Sequence, residues 1–224
     1  MPTEPASLSL IGVSKCWPGR DSAVLDRVSL VLSRGTAVRI GGANGAGKTT
    51  LLRIGAGLIR PEAGRISLGA LDVEADRTAF QRRIGFLSAA SAGLYARLTV
   101  RDHLRLWSRL ALLPATERRA SCERMLDALG LRQLADRRVD RLSMGQRQRV
   151  RLAGVFLHDP RVVMLDEPTT SLDDEGTDLL VAEVERVRRG GGTALWCAPT
   201  SEASTTLNFD TRLVLREGQL HPER

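Results

Sequence analysis

The chain has 224 residues, of which 42% are hydrophobic and 26% charged, a globular balance with material for one sizeable core and too little for two large domains. Its longest stretch without a charged side chain, Ile84 to Ala96, is thirteen residues, short of the ~18 apolar residues that a membrane-spanning helix needs. Thirty-three basic against 26 acidic residues give +7, with Lys15 and Lys48 the only lysines. The arginines are scattered in pairs such as Arg118 and Arg119, or Arg137 and Arg138, so no block forms a nucleic-acid arm and solvated faces account for them.

The first ten residues lack the basic start and apolar run of a signal peptide, which predicts a cytoplasmic chain. Cys16, Cys122 and Cys197 are odd in number and far apart, without a CxxC pattern, and read as reduced, packed thiols rather than a disulfide or zinc framework.

In chain order, Ser7 to Val13 and Val24 to Leu32 carry strand-like apolar spacing around a Trp17-Pro18-Gly19 turn. Thr36 to Gly41 is a strand that enters a glycine-rich turn and then a helix from Lys48 to Leu58. Arg65 to Leu68 and Ile84 to Leu87 return as strands. Val100, Leu104, Trp107 and Ala111 then follow helical spacing up to Pro114. A second helix is expected from Thr116 to Leu129, ended by Gly130, and a third from Gly145 to Leu157. Val162 to Leu165 is a continuous apolar run, the pattern of a parallel strand covered on both faces. Leu180, Val184 and Val187 mark a helix closed by Gly190 to Gly192, Thr193 to Cys197 a further strand, and Leu213 to Leu215 with Leu220 a terminal hairpin. Alternating strands and helices predict an α/β fold forming one domain over 1–224, with a helical insert at roughly 90–145.

Two segments carry chemistry. Gly42-Ala43-Asn44-Gly45-Ala46-Gly47-Lys48-Thr49-Thr50 fits the GxxxxGK pattern followed by threonine, between a predicted strand and a predicted helix. The glycines let successive N–H groups face a phosphate, and the helix N-terminus adds positive potential. Lys48 reaches the β- and γ-phosphates, and the Thr49 hydroxyl ligates magnesium. Asp166 and Glu167 end the Val162 strand at the carboxyl edge of a parallel sheet, where phosphate sites form. Asp166 suits the metal shell, and Glu167 suits the base that polarises the attacking water. A triphosphate with Mg2+ is the expected ligand of these groups.

With these residues in place, Leu142-Ser143-Met144-Gly145-Gln146-Arg147-Gln148-Arg149-Val150 resembles the signature of the ABC-type ATPases, and Ser171-Leu172-Asp173 resembles that family's D-loop. The resemblance runs from the Trp17 region to the terminal strands. It implies that the triphosphate is ATP, and a P-loop α/β fold with a mixed sheet core, an N-terminal antiparallel β-subdomain and an inserted helical subdomain. It also implies a dimer in which Ser143, Gly145, Gln146 and Asp173 meet the ATP held by the opposing chain, homo- or heterodimeric. Trp17 stands where the family places an aromatic against adenine, with turn packing as its competing role. The implied partner is a separate membrane permease, contacted through the helical insert and the Ser88 to Tyr95 loop, so the chain is expected on the inner membrane face. No nucleic acid is expected.

Two residues of that pattern are missing. Where the family carries a glutamine after the Ile84 strand, this chain reads Ser88-Ala89-Ala90-Ser91-Ala92, and where it carries a histidine after the Thr193 strand, it reads Ala198-Pro199-Thr200. Met144 also replaces a glycine. The same features therefore leave open a degenerate, mainly nucleotide-binding subunit.

Overall fold

The computed structural model describes residues 8–19, 22–89, 93–199 and 206–223. Two sheets are built from ten strands. β1 (Leu8–Lys15), β2 (Leu25–Leu32), β4 (Ala63–Leu68) and β5 (Leu71–Asp72) form an antiparallel sheet in the order β2-β1-β4-β5. β3 (Ala37–Gly41), β6 (Ile84–Leu87), β7 (Val162–Asp166), β8 (Thr193–Cys197), β9 (Thr211–Arg216) and β10 (Gln219–Pro222) form a mixed sheet in the order β10-β9-β3-β8-β7-β6. Within it β9, β3, β8, β7 and β6 run parallel, and β9 and β10 close the expected antiparallel hairpin.

The central strands are buried on both faces, and their period-two alternation distributes side chains between two cores. On β7, Val163 and Leu165 enter the core shared with the helices, while Val162 and Met164 enter the core under the antiparallel sheet. On β8, Ala194 and Trp196 take the first side, Leu195 and Cys197 the second. All three cysteines are free, and Cys122 and Cys197 are buried. Burial, with the Asp166 charge adding, holds the Cys197 thiol well above its ordinary range, which makes it inert.

Among the described residues six α-helices complete the fold: α1 (Lys48–Gly55), α2 (Arg77–Gln81), α3 (Val100–Leu110), α4 (Ala115–Ala128), α5 (Met144–Phe156) and α6 (Asp174–Arg189). α1 is shorter than its apolar pattern predicts. Gly57 turns left-handed at φ 66°, and the Gly57 and Leu58 N–H groups close back on the Ile54 and Arg53 carbonyls, a C-terminal closure that leaves Leu58 outside the helix. β5 and α2 are not among the elements expected from the sequence, since a two-residue strand and a five-residue helix carry no usable period. α3 begins at Thr99, whose hydroxyl accepts the Asp102 N–H, and α4 begins after Pro114. Both lie between β6 and β7 in the chain, where the helical insert was expected. Among the described residues no helix is long and apolar enough to cross a membrane.

Two of the three histidines are structural. His103 is fully buried, accepting the Tyr95 N–H at 2.8 Å through Nε2 and meeting the Thr99 carbonyl at 3.0 Å through Nδ1. His158, just beyond α5, donates from Nε2 to the Ile84 carbonyl at 3.0 Å, and burial pushes its pKa below 6.5. A histidine with a depressed native pKa stays neutral in the fold while the unfolded chain takes up the proton, so stability falls as pH drops through about 6.5. Urea unfolding between pH 7.5 and 5.5 is expected to show this loss, and His158→Gln to flatten it; an equal slope in the variant assigns the effect elsewhere.

Candidate functional site

The site begins where β3 delivers the chain into the glycine turn. Gly42, Gly45 and Gly47 all have positive φ, at 151°, 80° and 108°. A Cβ on Gly47 would lie 2.8 Å from Val24 Cγ1, and one on Gly42 2.7 Å from the Leu215 carbonyl, so neither position accepts a side chain. At Gly45 the same construction meets nothing within 4 Å, which leaves the backbone open to a ligand. The Ala46 N–H donates to the Ala43 carbonyl at 3.2 Å and tightens the turn.

α1 then starts on Gly47 with no side-chain cap and no acidic residue in its first turn. Its leading N–H groups are thus left for an anion. Lys48 is 5% exposed, and Nζ donates to the Gly42 carbonyl at 2.7 Å and the Ala43 carbonyl at 3.0 Å. An ammonium held there on carbonyl dipoles is stabilised further by a phosphate bound at the loop.

The acidic half arrives from β7, two strands away across β8. Asp166 is 1% exposed, and its Oδ2 accepts the Thr49 hydroxyl at 2.7 Å. Thr49 and Asp166 thus bring two hard oxygen ligands to one point, a donor set suited to Mg2+, which takes one or two protein oxygens and completes its shell with water and phosphate. Among the described residues no cluster of three or more His, Cys, Asp or Glu offers a competing metal centre. Glu167 turns left-handed at φ 48°, its N–H held by the Cys197 carbonyl at 2.8 Å.

A cleft of about 330 Å³ lies above these groups, lined by Trp17, Val24, Asn44, Gly45, Gly47, Lys48, Thr49, Thr50 and Glu167. Eight of these nine were chosen from sequence, Val24 being the exception. Gly42 and Ala43 contribute through the carbonyls that hold Lys48, and Asp166 through Thr49. Trp17 is partly exposed on the cleft wall, with Lys15 Nζ 5.1 Å from its ring centroid.

Ser143, Gly145, Gln146 and Asp173 do not line this cleft. Ser143 and Gln146 form a capping box at the start of α5: the Gln146 N–H donates to Ser143 Oγ at 3.2 Å, and the Ser143 N–H to Gln146 Oε1 at 3.1 Å. A Cβ on Gly145 would lie 2.8 Å from the Ser171 carbonyl, so this glycine lets the α5 N-terminus pack against the loop after β7. Asp173 caps α6 by accepting the Gly176 N–H at 2.9 Å, and the Arg149 guanidinium, 2.8 Å away, holds its carboxyl below the usual range. Met144 is 70% exposed at the helix start.

Where the histidine was missed, Arg39 donates to the Pro199 carbonyl at 3.1 Å and pairs with Glu223 at 2.7 Å. Thr200 lies outside the described residues, as do Ala90 to Ala92. Ala89, next to the position of the missing glutamine, lines a second cavity of about 600 Å³ together with Met144, Gln148, Glu167, Thr170 and Ser171. Sequence reasoning gave Gln148 and Arg151 no role, although each bonds a segment that flanks the site. Their only sequence signal is a polar pair continuing past a helix N-terminus.

The family model described as ABC transporter matches residues 25–170. ABC transporter ATP-binding protein NatA of Bacillus subtilis is 34% identical over 193 residues, 86% of this chain and 78% of that protein. Daunorubicin resistance ATP-binding protein DrrA3 of Streptomyces coeruleorubidus is 39% identical over 175 residues, 78% of this chain and 55% of that protein. A dimeric ATP-binding cassette solved in a post-hydrolysis state with ADP and Pi superposes with TM-score 0.85 at 24% identity, covering 97% of both chains.

Lys48→Ala removes the buried cation while leaving the loop backbone in place. Charge-assisted hydrogen bonds contribute about 1.5–3 kcal/mol, so calorimetry is expected to show Mg-ATP affinity falling roughly 10- to 100-fold. Unchanged affinity would take Lys48 out of the site.

Proposed function

This chain belongs to the ABC transporter ATP-binding family and is an ABC-type ATPase, and from that premise we propose that it binds and hydrolyses ATP to power a separate membrane permease. The observation that carries this reading is that Lys48, Thr49 and Glu167 line one cleft while Asp166, at the end of β7, is hydrogen-bonded to Thr49 at the start of α1.

In this reading the loop N–H groups and Lys48 hold the β- and γ-phosphates, and Trp17 takes the adenine face. Mg2+ bound by Thr49 and Asp166 supplies charge neutralisation on the phosphate oxygens. Glu167 accepts the proton of the water that attacks the γ-phosphate. The signature residues Ser143 and Gly145, with Gln146 and Asp173, serve the nucleotide of a second chain, because they stand apart from the cleft built around Lys48. ATP favours the closed pair, and closure moves the permease by its different affinity for the two states.

The groove between β6 and α3 supports permease docking at the helical insert. Phe86, Leu87, Trp107, Leu110 and Ala111 line about 380 Å³ of it, and Leu110, Leu112 and Tyr95 expose apolar surface beside it. Docking there would put the chain on the inner face of the membrane, a reading that the exposed apolar side chains support.

The Ala198-Pro199 segment and the missing glutamine favour a second reading, a mainly nucleotide-binding subunit whose partner hydrolyses. Pro199 supplies no N–H and no side-chain donor, and loss of one preorganised donor to a developing charge costs about 2.7–4 kcal/mol, on the order of 10²–10³ in rate.

Steady-state assays on the purified chain are accordingly expected to give fewer than roughly 10 turnovers per second, about the median for enzymes; faster turnover contradicts the inferred loss. Glu167→Gln is expected to lower hydrolysis by at least about 100-fold with Mg-ATP binding retained. An unaffected rate would remove Glu167 from its role, whereas ATP-driven association without phosphate release in the unmodified chain would select the second reading.

A further inference from the structure

Three concavities lie in a row and share two residues. Glu167 lines both the nucleotide cleft and the 600 Å³ cavity, and Arg151 lines both that cavity and the groove between β6 and α3. Between the two runs a chain of hydrogen bonds. Gln148, 6% exposed, donates from Nε2 to the Pro168 carbonyl at 3.0 Å, one residue beyond Glu167. Arg151 donates from Nη1 to Gln148 Oε1 at 2.8 Å, and from Nη2 to the Ser88 carbonyl, where β6 leaves the sheet.

Gln148 and Arg151 are three apart on α5, so one helix face carries both links. The Gln148 amide is fixed at both ends, its nitrogen on Pro168 and its oxygen on Arg151. A shift of the Glu167-Pro168 backbone therefore pulls on Ser88 through two side chains and no flexible segment. Arg suits the junction because its planar fork holds two acceptors in one fixed geometry, which an ammonium on a flexible stem does not.

We propose that Arg151, acting through Gln148, is the positioning residue that couples nucleotide engagement at Glu167 to the β6–α3 groove. Its guanidinium reaches the Ser88 carbonyl in the segment where the expected glutamine is missing, so the link to the end of β6 comes from the α5 helix. Coupling between the two sites is reciprocal: whatever occupies the groove biases Glu167 by the same factor that ATP biases the groove. The inference rests on the cleft binding ATP.

The test is hydrogen exchange of the full chain with and without Mg-ATP, read at 84–89 and 107–113, together with calorimetric Mg-ATP affinity and thermal unfolding of each variant. In the unmodified chain Mg-ATP is expected to change exchange at these groove segments by at least about fivefold, the lower end of coupling between sites. Arg151→Met keeps the aliphatic stem and removes the fork; Gln148→Glu keeps the acceptor for Arg151 and removes the donor to Pro168. Both are expected to abolish the nucleotide-dependent change while affinity stays within about twofold, and Arg151→Lys is expected not to restore it. A merely structural role would alter unfolding and leave the nucleotide response in place. The proposal is overturned if the unmodified chain binds Mg-ATP without a response at the groove, or if either folded variant responds as the unmodified chain does. Absence of Mg-ATP binding in the unmodified chain would instead overturn the functional reading, and this inference with it.

Discussion

The Thr49–Asp166 hydrogen bond is the contact on which the site depends. It joins the first turn of α1 to the end of β7, strands β3 and β7 being separated by β8, so two segments more than a hundred residues apart in sequence reach one point. Both partners are held by elements that cannot easily move. β3 and β7 are buried along their full lengths, and α1 is pinned beneath them by Leu51, Leu52 and Ile54 in the second core. A hydroxyl–carboxylate pair at this point is a ready oxygen ligand set, and the buried Lys48 ammonium beside it gives the turn a charge that favours phosphate.

Around that point the proposed binding groups are present, while the glutamine and histidine that the family resemblance leads one to expect after β6 and β8 are not in the sequence. Arg39, paired with Glu223, holds the Pro199 carbonyl, which fixes the backbone of a segment whose own Ala198 and Pro199 carry no titratable side chain. At the end of β6, Ser88 presents a carbonyl that α5 reaches with Arg151. In the proposed reading, binding depends on backbone amides and one lysine, whereas hydrolysis needs groups placed against charge that develops only in the transition state. The two functions can therefore diverge within one fold.

Much of this was legible in the sequence because local chemistry carries it. Ile84–Leu87 and Thr193–Cys197 match their predicted strands residue for residue, each a largely apolar run preceded by arginine or glycine. The glycine turn was readable because Gly42, Gly45 and Gly47 adopt positive φ for reasons local to the loop and its immediate neighbours. α1 was read too long, since Leu58 continues its apolar pattern even though Gly57 ends the helix. What escaped was non-local. Gly145 is required by the Ser171 carbonyl, the Asp173 carboxylate serves α6 and Arg149, and Arg151 bonds a carbonyl 63 residues away. No spacing rule encodes such pairings, because they arise when the segments that follow β6 and β7 pack against α5.

The most direct measurement of the central claim is a comparison of ATP with adenosine by isothermal calorimetry in the presence of Mg2+. A site built from loop amides, Lys48 and the Thr49–Asp166 pair takes most of its binding energy from the phosphates, so ATP is expected to bind at least about 100-fold more tightly than adenosine, a difference of about 2.7 kcal/mol. Equal affinities, or no heat with millimolar Mg-ATP, would contradict the account.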